Sequence, residues 1–158
     1  MKIRKLKIED NLKTAQMIRA VFEEYNAPKK GTVYSDPTTD NLFELFKKDK
    51  SYFLIAEENN EIVGCCGIYP TDNLPQHCTE LVKYYICNSA RGKGLGRILM
   101  NKCEEKAKSL GYTQLYLESI PAYNKAVSIY KKLGYQQLES PLGNSGHFGC
   151  DIWMLKEL

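Results

Sequence analysis

The run Asn88–Tyr112, NSARGKGLGRILMNKCEEKAKSLGY, sets glycine at positions 92, 94 and 96 and then continues at helical spacing until Gly111. The segment TELVKYYIC before it reads as a strand. A strand that turns through glycines into a helix leaves the first backbone N–H groups of that helix without partners. Those groups point into the turn, where the helix dipole favours an anion. Missing side chains let a group as bulky as a pyrophosphate approach. Alternatively, Gly92, Gly94 and Gly96 only permit a tight turn and close packing of helix on sheet. The turn by itself does not decide between the two.

The common nucleotide motifs do not fit. GKGLG lacks the Gly-Lys-Ser/Thr ending of a P-loop. The turn also lies behind hairpin-linked strands, where a dinucleotide fold has it after the first parallel strand.

Around the turn the order of elements is α/β. KIRKLKI alternates as a strand does, and EDNLKTAQMIRAVFEEY sets Leu12, Ala15, Ile18, Ala20 and Phe22 near helical spacing. The loop from Asn26 to Pro37 suits a lid or substrate-side segment. TTDNLFELFKK predicts a second helix that starts at Thr39 or Asp40. SYFLIAEENNEIVGCCGIYP predicts two strands joined at ENNE. Beyond the glycine turn, TQLYLES predicts a strand and PAYNKAVSIYKKLG a helix from Pro121 to Gly134. YQQLE and FGCDIWML predict two closing strands.

With 158 residues, 43% of them hydrophobic and 26% charged, one domain over 1–158 can bury a sizeable core. No repeat or linker divides it. The basic start MKIRKLKIED is not followed by a signal-peptide core, and no apolar run approaches the ~20 residues of a membrane span. The expected location is therefore cytoplasmic, with no membrane partner. The six cysteines form neither the CxxC pairs of a zinc site nor a disulfide scaffold, so reduced, mostly buried thiols and no metal are expected. A net charge of +3, dispersed along the chain, argues against a nucleic-acid partner and is compatible with a small anionic ligand.

The segment Arg91-Gly92-Lys93-Gly94-Leu95-Gly96 resembles the acyl-coenzyme A loop of the GNAT N-acetyltransferases, written Arg/Gln-x-x-Gly-x-Gly/Ala. Glu80 on the preceding strand and AVSIYKKLGY further on, which matches the family's Ala-x-x-x-Tyr-x-x-x-Gly-Phe/Tyr helix, extend the resemblance over about Glu80 to Tyr135. It implies an α/β fold with a mixed, mostly antiparallel twisted sheet of six to seven strands flanked by about four helices. The sheet would be splayed at the strand before the glycine-rich loop. Acetyl-CoA would be the co-substrate, its pantetheine arm along Tyr85, Ile86 and Cys87 and its pyrophosphate on the N–H groups of Arg91 to Gly96. Arg97 would add charge at the phosphates. Many relatives have a cofactor-touching asparagine where this chain has Tyr123, which leaves Asn124, one residue on, as a candidate contact.

The resemblance also assigns roles. Tyr130 matches the general acid for the leaving sulfur; a phenol with a reference pKa of about 10 stays protonated until a thiolate, about 8.5, demands the proton. Without the resemblance, Ala126, Ile129, Tyr130 and Leu133 read as one apolar helix face and Tyr130 as core. Glu80 is the candidate base, directly or through water, against the alternative of a solvent-facing charge. The backbone N–H of Ile86 is the candidate oxyanion donor. Glu118, His147 and Asp151 are acceptor-side candidates, and Gly143 to Asp151 is expected to line that side or simply to connect two strands. The implied activity is acetyl transfer to the primary amine of a small molecule, amino acid-like or other, by direct attack in a ternary complex. An acyl-CoA sensor without turnover, a protein or peptide N-acetyltransferase, and a homodimer are left open.

Overall fold

Seven strands and four α-helices form in a computed structural model that describes residues 1–158. The strands are β1 (Lys2–Lys5), β2 (Tyr52–Glu58), β3 (Glu61–Tyr69), β4 (Cys78–Ile86), β5 (Gln114–Ser119), β6 (Gln136–Leu138) and β7 (Ile152–Glu157). The helices are α1 (Asn11–Glu24), α2 (Leu42–Leu45), α3 (Leu95–Ser109) and α4 (Asn124–Lys132). One sheet holds every strand in the order β1-β2-β3-β4-β5-β7-β6. All neighbours are antiparallel except β4 and β5.

The β2–β3 hairpin turns at Asn59 and Asn60, whose φ values of +53° and +63° suit a two-residue turn matched to strand twist. Ile62 to Ile68 of β3 are all buried, because helices cover both faces. On one face Leu99, Met100 and Cys103 of α3 pack with Cys66, Ile68, Leu115 and Met154. On the other, Ile18, Val21 and Phe22 of α1 pack with Phe53, Ile55 and Cys65.

Three sequence expectations shift. In α1 the buried stripe is Thr14, Ala15, Met17, Ile18, Val21 and Phe22, while Leu12 and Ala20 are exposed. At about 100° per residue both lie more than about 100° around the helix from Ile18. The second helix starts later and ends sooner than TTDNLFELFKK suggests: Pro37–Asp40 is a 3₁₀ turn capped by Asp36, leaving one turn of α2. The last strand begins at Ile152, because Phe148 to Asp151 belong to the preceding loop. No helix is long and apolar enough to cross a membrane. All six cysteines are free thiols, four of them buried.

What positions the site is the parallel pair. β4 and β5 hold together only at Cys78–Gln114, Thr79–Leu115 and Glu80–Tyr116. Past Glu80 the strands part, and a register shift between β3 and β4 marks a bulge in the same stretch. Lys83 sits in that bulge at φ +51°.

Candidate active site

Two cavities open where β4 leaves β5. The larger, about 730 Å³, runs between the glycine turn, α1 and α4. The smaller, about 70 Å³, lies among Glu80, Lys83, Glu118, His147 and Cys150. Tyr84, Tyr85, Tyr123 and Tyr130 line both, so the two spaces meet at these four rings.

At the larger cavity, Gly92 and Gly94 have φ values of +75° and +79°, and a β-carbon on either would meet nothing within 4 Å. The turn is an open cradle. Arg91 N–H donates to Asn88 O and Ile98 N–H to Gly94 O, whereas the amides from Gly92 to Arg97 have no backbone acceptor. They sit at the N-terminus of the 15-residue α3, where an anion is favoured. The donor set is thus shifted by one from the expected Arg91–Gly96. Arg91 instead braces the cleft: its Nε donates to Ile86 O (2.9 Å) and its guanidinium pairs with Glu24 (2.8 Å). Gly96 serves packing, since a β-carbon there would lie 2.1 Å from the Tyr84 hydroxyl. Leu95 turns its side chain into the core, and exposed Arg97 lines the cavity. Lys93 points out, 4.0 Å from Glu58. Asn124 is exposed and lines neither cavity; Lys125, Ala126 and Ile129 border the larger one instead. Ile129 is 46% exposed, so the helix face read from the sequence as core is partly cavity wall.

Along β4, Cys87 N–H donates to Val63 O. Pairs alternate in an antiparallel ladder, so Ile86, one residue earlier and opposite Gly64, turns its N–H and C=O away from β3 toward the splay. Arg91 takes that carbonyl, and the Ile86 N–H faces the cleft. Tyr85 pairs with Cys65 and contributes its ring to both cavities. Cys87 is half-buried behind the strand, its thiol directed at Ile62 O.

Glu80 is buried, and its carboxyl accepts a hydrogen bond from the Thr71 hydroxyl. Burial, then the nearby Glu118 charge, push its pKa up to about 8 against the opposing pull of Thr71 and Lys83. The alternative of a solvent-facing charge on an alternating strand is therefore excluded. Glu118 accepts from the Tyr116 hydroxyl (2.9 Å) and from Ser145 Oγ (2.7 Å). Tyr130 is also buried, and desolvation, with Tyr84 and Cys66 adding, raises its phenol well above the ordinary value. It is at once core and cavity wall.

The tail loop closes the smaller cavity. Gly149 N–H donates to Gly31 O (2.8 Å), Asn144 N–H to Asp72 O (2.8 Å), and His147 Nε2 lies 2.8 Å from Asp36 Oδ2. His147 and Cys150 line the smaller cavity; Asp151 is exposed and lines neither.

Three side chains at the site escaped the sequence reading, and a fourth, Tyr123, entered it only as the residue at the family's asparagine position. Lys83 looks like one of many surface lysines, and Asp36 like a loop residue. Thr71 carries no motif. The Tyr123 hydroxyl is buried without a partner beside both cavities, and a tyrosine flanking a helix start gives no signal of that. Only the turn chemistry of Ser-Asp-Pro at 35–37 hinted at a cap.

Comparison with known proteins agrees with this geometry. The model of the acetyltransferase (GNAT) family matches residues 18–135. Over 157 residues the chain is 33% identical to YjgM, an uncharacterized N-acetyltransferase of Escherichia coli K12, covering 99% of this chain and 94% of that one. A GNAT-family acetyltransferase from Staphylococcus aureus Mu50 superposes at a TM-score of 0.87 with 18% identity, over 99% of this chain and 98% of its own. The PaiA N-acetyltransferase of Thermoplasma acidophilum, solved with coenzyme A, superposes at 0.77 with 19% identity, over 99% and 98%. The chain belongs to the acetyltransferase (GNAT) family and is an N-acetyltransferase.

Proposed function

We propose that this protein transfers an acetyl group from acetyl-CoA to the primary amine of a small molecule, by direct attack while both are bound. The observation that carries the reading is the meeting of a large and a small cavity at Tyr84, Tyr85, Tyr123 and Tyr130. A volume of about 730 Å³ suits a long cofactor arm, and a side space of about 70 Å³ suits the small reacting end of an amine. The coenzyme A bound by the PaiA neighbour supports the same assignment.

The residues fit the group. The unpaired amides of Gly92 to Arg97 face a pyrophosphate, and Gly92 and Gly94 leave it room. Bound acetyl-CoA supplies the activated acyl group. Ile86 N–H donates to the thioester carbonyl oxygen, where negative charge develops. Glu80, its pKa raised to about 8, is matched to the ammonium it must deprotonate better than an ordinary carboxylate would be. It acts directly or through one water. Glu118, anchored by Tyr116 and Ser145, orients the amine. Tyr130, held protonated by burial, donates its proton to the departing sulfur.

Thiol release from acetyl-CoA, measured across amino acids, polyamines, aminoglycosides and peptides, tests the reading. Release with a small amine and not with peptides is expected, because the tail loop roofs the acceptor side. Coenzyme A binding without release for any amine would instead favour a sensor.

A further inference from the structure

The smaller cavity is bordered by an amine that acetyl transfer does not use. Lys83 Nζ is almost wholly enclosed, its side chain 4% exposed, and it borders the cavity with Glu80, Glu118 and His147. Its nearest polar neighbours are distant for an ammonium: Thr39 Oγ1 at 3.4 Å and Asp36 Oδ2 at 4.0 Å. Asp36 is already engaged. It accepts from Thr38 N–H (2.8 Å) and Thr38 Oγ1 (2.7 Å), and His147 Nε2 lies 2.8 Å from it. An ammonium has three donors, and a buried one left poorly bonded is costly.

Lys83 is also held where the backbone resists it. It occupies the β4 bulge at φ +51°, a left-handed conformation that a long side chain rarely adopts. Its carbonyl is fixed by Cys65, whose thiol donates to it at 3.0 Å. The bulge sets Lys83 in the lining of the same cavity as Glu80 and Glu118. A cavity of about 70 Å³ thereby brings one amine and two carboxyls together; burial lowers the pKa of the Lys83 amine, against the opposing pull of Asp36 and Glu80.

Resting on the acetyl-transfer reading, we propose that the acceptor is a small amine that also carries a carboxylate, an amino acid or close derivative, and that Lys83 binds that carboxylate. The amine faces Glu80 and Glu118, and the carboxylate completes the donors of Lys83. A phosphate dianion suits the site less well, because one ammonium would have to offset it beside two glutamates. Asp36, 4.0 Å from Lys83 Nζ and hydrogen-bonded to His147, flanks the amine.

The test compares thiol release with each of the twenty common L-amino acids against release with the matching amino acid amides. The expected result is an amino acid acceptor whose kcat/KM exceeds that of its amide by about ten- to a hundredfold, the worth of one charge-assisted hydrogen bond. In Lys83→Met that ratio falls toward one through the KM of the acid. Amides that match or exceed their acids in the wild type, or an acid preference that survives in folded Lys83→Met, overturn the proposal. If Lys83→Met does not fold, the wild-type ratio decides. No release with any amine refutes acetyl transfer itself. In that case titration calorimetry of the same acids and amides into coenzyme A-loaded protein decides the pocket. Heat with acids alone upholds the role of Lys83, and heat with neither, or equally with both, overturns it.

Discussion

His147 Nε2 lies 2.8 Å from Asp36 Oδ2, joining the tail loop to the loop after α1 across 111 residues of sequence. Burial opposes the charge on Asp36, but the hydrogen bonds from His147 and Thr38 and the charge of Lys83 hold its carboxyl well below the usual carboxylate range. His147→Ala removes one of the ties that roof the acceptor cavity. The expected outcome is a three- to tenfold rise in acceptor KM, about the worth of one hydrogen bond, with the acetyl-CoA KM unchanged. Asp151→Asn, on the exposed side of the same loop, is expected to move neither constant. Steady-state kinetics on both variants check the pair, and a larger effect at Asp151 would reverse the assignment.

A bulky residue in the glycine turn tests the phosphate cradle. Gly94→Trp forces a side chain onto φ +79° and fills the space before the unpaired amides. Coenzyme A affinity is expected to fall at least about tenfold by calorimetry. Unchanged affinity in a folded variant would falsify the cradle.

Tyr130→Phe separates acid from core. The ring stays packed against Tyr84 and Tyr135, so stability should change by about 1 kcal/mol or less. Turnover is expected to drop about ten- to a thousandfold with acetyl-CoA binding retained. Normal turnover in the folded variant would return Tyr130 to a packing role.

Glu80 ties activity and stability to pH in opposite directions. Its folded pKa of about 8 lies above the ordinary glutamate value of about 4.5. The proton is therefore held in the folded state after the unfolded chain has lost it. Stability from this group is full below about 4.5 and declines as pH rises toward about 8. Activity runs the other way, because only the ionised carboxylate accepts a proton: kcat/KM should rise through an apparent pKa near 8. Glu80→Gln should lose most of its activity near neutral pH, recover partly in alkali as the amine deprotonates unaided, and flatten the pH dependence of Tm. A wild-type rate that is level from pH 6 to 9 would remove Glu80 as the base.

Tyr123 has a buried hydroxyl without a partner at the junction of the cavities. In the free protein, Tyr123→Phe should cost nothing or gain up to about 1 kcal/mol, since no bond is lost and a buried polar atom is removed. If a bound ligand takes up that hydroxyl, acetyl-CoA or acceptor affinity falls about five- to tenfold. Reduced Tm with unchanged affinities would mean that the hydroxyl serves the fold.

Local chemistry in the sequence determined much of this protein. The alternation in KIRKLKI, the ENNE turn, the stops at Gly111 and Gly134 and the run from Gly92 into α3 each depend on neighbours within a few residues. The resemblance carried by Glu80, the glycine turn and Tyr130 depends on the same local spacing. What the sequence left open is which residues meet at distance. That Lys83 is buried and Lys93 exposed, that Glu80 is enclosed with Thr71, and that the tail lies over Asp36 all follow from the order β4-β5-β7 and the parting of β4 from β5 after Glu80. Periodicity assigns a side chain to a face of its own element and says nothing of what covers that face. Charge, burial and pKa at the site are properties of that covering, so only the tertiary structure decided them.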